Sequence, residues 1–93
     1  MADIRSLALL RNDPEEAERL LLEAEQGDVD AQYAMGLIYA EGRGIPQDEA
    51  RSFFWLTRAA EQGDEEALIL RRVVAASITD DQFAEAQSLL KEK

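Results

Sequence analysis

Cysteine and histidine are absent from the 93 residues, and lysine occurs only as Lys91 and Lys93. Without cysteine there is no disulfide framework, no thiol nucleophile and no thiolate metal site. Without histidine there is no imidazole base and no histidine-ligated zinc or haem. Two lysines within the last three positions do not offer the buried amine that Schiff-base chemistry requires. No run of about 20 apolar residues occurs, which excludes a membrane-spanning helix. The opening stretch MADIRSLALLRND has only a short apolar patch, Leu7 to Leu10, and lacks the basic start and cleavage site of a signal peptide. These absences predict a cytoplasmic protein that is no enzyme, holds no cofactor or metal and does not enter a membrane.

What is present is acidic and well stocked with apolar residues. Hydrophobic side chains make up 46%, too many for a disordered acidic tail. Asp and Glu number 20 against 10 Lys and Arg, a net charge of -10. Such a balance repels phosphate backbones, so nucleic acid is a poor partner and a basic protein or peptide a better one. Much of the acidity falls at five expected helix starts: around Asp13, Asp28, Asp48, Asp64 and Asp80. Carboxylates there cap free N–H groups and face the positive end of the helix dipole, each contributing about 0.3–1 kcal/mol. Capping and solubility therefore account for most of the charge.

Self-comparison finds a repeat. Residues 24–31 read AEQGDVDA and residues 60–67 read AEQGDEEA, matching at six of eight positions with a spacing of 36. Asp13 followed by Pro14 is a helix start, and Ala17, Leu20, Leu21 and Ala24 form one apolar stripe behind it. Gly27 ends that helix and Asp28 caps the next, so EQGD is punctuation between helices. Further helices are expected over 28–41, 47–62 and 64–76, with Ser52, Trp55, Leu56, Ala59 and Ala60 facing inward. Only one of Phe53 and Phe54 can share the buried face of Trp55. Thr79 and Gln82 form a capping box for a last helix that buries Phe83, Ala86 and Leu90. A leading helix over about 4–10 completes the set. The fold class is all-α, an α-α superhelix of about three helical hairpins in one domain: a divergent hairpin 1–27, a complete unit 28–63 and a divergent cap 64–93. Gly36 at mid-helix costs about 1 kcal/mol against Ala, which predicts that another backbone approaches closely there.

The stretch AQYAMGLIYAEGRGIPQDEARSFFWLTRAAEQGD, 31–64, resembles one full Sel-one-like repeat of the tetratricopeptide-like superfamily. The resemblance rests on Ala31, Gln32, Met35, Gly36, Tyr39, Gly42, Gly44, Ile45, Asp48, Trp55, Leu56, Ala59, Ala60 and Gly63. One unit later it weakens: Arg71 and Arg72 replace Met35 and Gly36, Ala75 replaces Tyr39, and the Gly-x-Gly turn is missing. The resemblance implies a right-handed superhelix of hairpins that serves as a scaffold or adaptor and carries no catalytic residues.

The residues themselves offer little for catalysis. Glu15 with Glu16, and Glu65 with Glu66, point to different helix faces and sit where carboxylates stay ionised. Gly42-Arg43-Gly44 is followed by Ile45-Pro46-Gln47 rather than the Gly-Lys-Ser/Thr of a phosphate loop. Asp28-x-Asp30 supplies too few oxygens for a calcium loop. A surface is the better candidate. Tyr33, Leu37 and Ala40 form an apolar line repeated one unit later as Ile69, Val73 and Ala76, and the resemblance implies that this side lines the concave face. Asp30, Glu41 and Glu66 would rim it, which suits a basic amphipathic peptide or protein. Arg72, beside Arg71, is a candidate for pairing with a partner's carboxylates. The leading function is a protein-interaction module, an adaptor or regulator, existing as a monomer or weak homo-oligomer. The rivals are an acidic neutraliser of a basic effector, in the manner of an immunity protein or antitoxin, and a structural homo-oligomer. A stripe at helical spacing is also what ordinary core looks like, covered by the leading helix or by a second copy.

Overall fold

A computed structural model describes residues 13–92, in which five helices follow one another: α1 (Pro14–Glu25), α2 (Val29–Glu41), α3 (Glu49–Glu61), α4 (Glu65–Ser77) and α5 (Asp80–Glu92). The leading helix expected over 4–10 lies outside the described residues, within which there is no strand. The architecture is all-α, built from helices that pack on their neighbours in sequence.

Each start is set by a side chain that satisfies orphan N–H groups. The carboxylates of Asp13, Asp28, Asp48 and Asp64 accept from Glu15, Ala31, Arg51 and Ala67 backbone N–H groups at 3.0, 2.9, 3.0 and 3.1 Å. α5 has the reciprocal box expected of it: Gln82 N–H donates to Thr79 Oγ1 at 3.1 Å and Thr79 N–H to Gln82 Oε1 at 2.9 Å. α3 begins two residues later than its sequence suggested. Asp48, not an earlier residue, is the cap, while the Gln47 side chain turns back and donates to the Ala40 carbonyl at 2.8 Å.

The repeated EQGD closes one helix and opens the next with the same four residues. Asp28 N–H donates to Glu23 O at 3.1 Å and Gly27 N–H to Ala24 O at 3.0 Å, the two bonds of a Schellman stop. Asp64 and Gly63 repeat the pattern on Ala59 O and Ala60 O at 3.2 and 2.9 Å. Gly27 and Gly63 stand at φ +103° and +96°, a region that side chains disfavour. The two turns are also joined. Gln62 Nε2 donates to Gly27 O at 3.0 Å and to Gln32 Oε1 at 2.8 Å, and buried Gln32 donates to Ala24 O at 3.1 Å. This polar chain locks the second turn onto the first, and it explains why a glutamine can sit in the interior.

Small residues let the helices close up. Ala31, Ala34, Ala50, Ala59 and Ala67 are fully buried. At Gly36 a Cβ would stand 2.4 Å from Leu56 Cδ2, and Ser52 Oγ donates to the Gly36 carbonyl at 2.6 Å. The close approach expected at this glycine therefore exists, but it comes from a side chain and not from a second backbone. Leu56 is wholly buried and has nowhere to retreat.

α2 packs against α1, α3 and α4, and α3 against α2, α4 and α5. The last two helices differ: α5 lies on α3, and α4 and α5 hardly touch each other. Thirty-six residues after Gly36 and Leu56 stand Arg72 and Glu92, so the seat and its occupant are both gone. Phe83, expected in the interior, is 43% exposed for this reason and meets Phe53 edge-on, with ring centres 5.5 Å apart. Ala86 is buried as expected, and Leu90 only partly so.

Gly36→Ala should lower stability by about 1–3 kcal/mol, overcoming its gain of about 1 kcal/mol in helix propensity. Urea unfolding checks this, and the penalty should vanish when the same change is made on a Leu56→Ala background.

Candidate interaction surface

The strip proposed from the sequence is partly assembled and partly divided by the fold. Tyr33 on α2 and Glu66, Ile69, Leu70 and Val73 on α4 line one open cleft of about 300 Å³. Ile69 and Val73 are each 61% exposed, far more than an apolar side chain at a packed interface. Tyr33 is half-buried at the seam between the two helices. Leu70 joins them although sequence periodicity did not single it out.

Leu37 is a correction. It is 6% exposed and belongs to the core with Met35, Ile38 and Trp55, so it offers no surface to a partner. The cause is that α2 is enclosed by three helices, which bury every residue from Ala31 to Ile38 except Tyr33. A helix that is apolar all round is an interior helix, and VDAQYAMGLIYAE carries that signal. Ala40 is half-buried against the core and Ala76 is exposed.

Among the charged candidates, Asp30 and Glu66 occupy the same position in successive units, in the first turns of α2 and α4, and both are exposed. Glu41 stands at the far end of α2 and forms an ion pair with Arg43. Arg72 is not part of this surface. With Phe53, Leu68, Arg71, Ala75 and Phe83 it lines a different cleft on the opposite flank of α4. At 100° per residue, positions 68, 71, 72 and 75 point about half a turn away from 66, 69, 70 and 73.

A third hollow escaped sequence reasoning. Phe54 lies edge-on to Trp55 with centres 4.8 Å apart, and the Arg58 guanidinium sits 5.6 and 5.3 Å from the two rings. Arg51, Tyr39, Leu21 and Leu89 complete the lining, with Glu25 and Glu92 at its edge. The signal was available: Arg51, Phe54, Trp55 and Arg58 fall at i, i+3, i+4 and i+7. Burial pushes the Tyr39 phenol above its ordinary 10.0; Arg51 opposes the rise, and the charges of Asp48 and Glu25 reinforce it. Among the described residues no cluster of three acidic side chains is placed to hold a metal ion, and no helix is long and apolar enough to cross a membrane.

The family model of the Sel1 repeat matches residues 29–64, which run from the first residue of α2 through α3 to the cap of α4. That segment is similar to a Sel1 repeat. It holds the Gly36–Leu56 seat, the turn between α2 and α3, and the second EQGD stop. Comparison with curated proteins and with solved structures gives no match. Sel1 repeats form helical-hairpin superhelices, generally mediate protein–protein interactions and are typically non-enzymatic. A Sel1 unit is thus an interaction module by kind.

Two measurements test this geometry. Leu37→Asp buries an unpaired charge and should cost several kcal/mol, about 3 or more, whereas Ile69→Asp and Val73→Asp should melt like the parent chain. Thermal circular dichroism distinguishes them. The folded chain also holds the Tyr39 proton more tightly than the unfolded chain. Its contribution to stability is complete below pH 10.0 and lost as pH rises through the higher folded value. Alkaline titration of phenolate absorbance should show a component above that ordinary value, absent in Tyr39→Phe.

Proposed function

We propose that the chain acts by stoichiometric binding, holding a basic amphipathic helix or peptide along the cleft between α2 and α4. The observation that carries this is the pair Ile69 and Val73, each 61% exposed on a helix whose Glu66 borders the same cleft. Apolar side chains set in a row on a regular helix supply the contact area, and the carboxylates at their edge select Lys or Arg in the occupant. Asp30, one turn before Tyr33, extends the same edge onto α2. Leu37 lies beneath this surface as support and Glu41 is engaged by Arg43, so the recognition residues reduce to Asp30, Tyr33, Glu66, Ile69, Leu70 and Val73. The acidic-neutraliser alternative draws on the net charge, but four of the acids are occupied in capping helices. An apolar contact rimmed by charge is the better-supported mode.

Fluorescence anisotropy with a labelled model helix of Leu and Lys tests the reading. Ile69→Ser with Val73→Ser removes apolar contact worth about 1–3 kcal/mol per fully buried side chain and should weaken binding about tenfold or more. Glu66→Gln should weaken it less and flatten its salt dependence. Unchanged binding in the double variant would remove the cleft from consideration. Steep salt dependence with no loss in that variant would favour the neutraliser.

A further inference from the structure

The second cleft on α4 differs in chemistry from the first. Its floor is Phe53, buried on α3, with the Arg71 guanidinium over the ring, 4.8 Å from its centre, and Phe83 meeting it edge-on. Its walls are α4 and α5, which hardly touch and so leave between them a hollow of about 270 Å³. Leu68 and Phe83 at its mouth are 38% and 43% exposed. The α4–α5 pair is thus splayed and apolar inside.

The departures from the Sel1 unit explain the opening. Leu68 stands where Gln32 anchors the polar chain, Arg72 where Gly36 seats Leu56, and Ala75 where Tyr39 packs half-buried against the core. No neighbouring unit can be seated in the same way. What the substitutions install is positive charge: Arg71 and Arg72 form no ion pair among the described residues, in a chain whose net charge is -10. The cation–π contact with Phe53 holds the Arg71 guanidinium at the cleft and uses none of its N–H donors on a carboxylate among the described residues.

We propose that this α4–α5 cleft receives an amphipathic helix of a partner protein whose apolar side is bordered by Asp or Glu. A helix is the shape that fits between two splayed helices, Phe53, Leu68 and Phe83 supply the apolar contact, and the arginine pair selects the sign of charge. A second copy apposed at the same cleft would bring the Arg71–Arg72 pairs of both chains together, which like-charge repulsion disfavours. The site is independent of the α2–α4 cleft: it lies on the other flank of α4 and selects the opposite charge.

The test uses the full chain and a labelled model helix of Leu and Glu, with counterparts carrying Gln or Lys in place of Glu. The Glu helix should bind about tenfold or more tightly than the Gln helix and lose affinity as salt rises. Arg71→Glu with Arg72→Glu should reverse the preference toward the Lys helix at this cleft, measured on an Ile69→Ser, Val73→Ser background that silences the other. Ala75→Trp, at an exposed position on the wall, should fill the hollow and abolish Glu-helix binding with both arginines intact and circular dichroism unchanged. Equal binding of the Glu and Gln helices, or full binding by Ala75→Trp, overturns the proposal. So does concentration-dependent self-association that Ala75→Trp abolishes while the Glu helix fails to bind, which would give the cleft to a second copy. Failure of the Lys helix alone counts only against the α2–α4 cleft.

Discussion

The seating of Leu56 on the bare backbone of Gly36 sets the separation of α2 and α3, the pair on which the other helices are laid. The geometry is that of a knob without a competing side chain: Leu56 occupies the space a Cβ would need, and Ser52 on the same helix bonds the Gly36 carbonyl. With α2 and α3 this close, the buried alanines Ala31, Ala34, Ala50 and Ala59 pack beside the larger Met35, Ile38, Phe53 and Trp55. α1 then lies on one side of α2 and α4 on the other, held in register by the Gln62–Gln32 chain that joins the two EQGD turns.

The same constraint, removed, accounts for the other end. At position 72 the arginine cannot provide a seat, and at position 92 the glutamate would not occupy one. α5 therefore settles on α3, and among the described residues α4 borders an open cleft on each flank. One flank shows Ile69 and Val73 beside Glu66; the other shows Leu68 beside Arg71 and Arg72. A single helix thereby presents two apolar surfaces whose borders carry opposite charge. That arrangement follows from local packing failure and not from any dedicated loop or insertion.

Helix boundaries and stops were legible because they depend on neighbours in the chain: Asp before a helix, Gly after it, Thr79 and Gln82 three apart. The Gly36 contact was legible as a need for closeness, since a mid-helix glycine is otherwise a loss, yet its partner was not, because a side chain and a backbone demand the same room. The surface was legible only in part. Periodicity placed Leu37 in line with Tyr33, but a stripe records which residues share a direction and is silent on how many helices lie in that direction. The apolar character of the whole of α2 was the stronger signal, and it marks an enclosed helix. Arg72 stood out in the sequence by its charge, and the helix sets it apart from the strip, about 100° around α4 from Val73.

The sequence by itself determined that the chain is all-α, which residues cap and stop most of the described helices, and that residues 29–64 match one Sel1 repeat. Those features are encoded by residues within a turn or two of one another. Only the tertiary structure decided which apolar residues are interior, that among the described residues α4 borders a cleft on each flank, and that Phe53, Arg71 and Phe83 meet in one hollow. Such outcomes depend on which helices reach each other, and that was settled by the space available at positions 36 and 72, more than thirty residues apart.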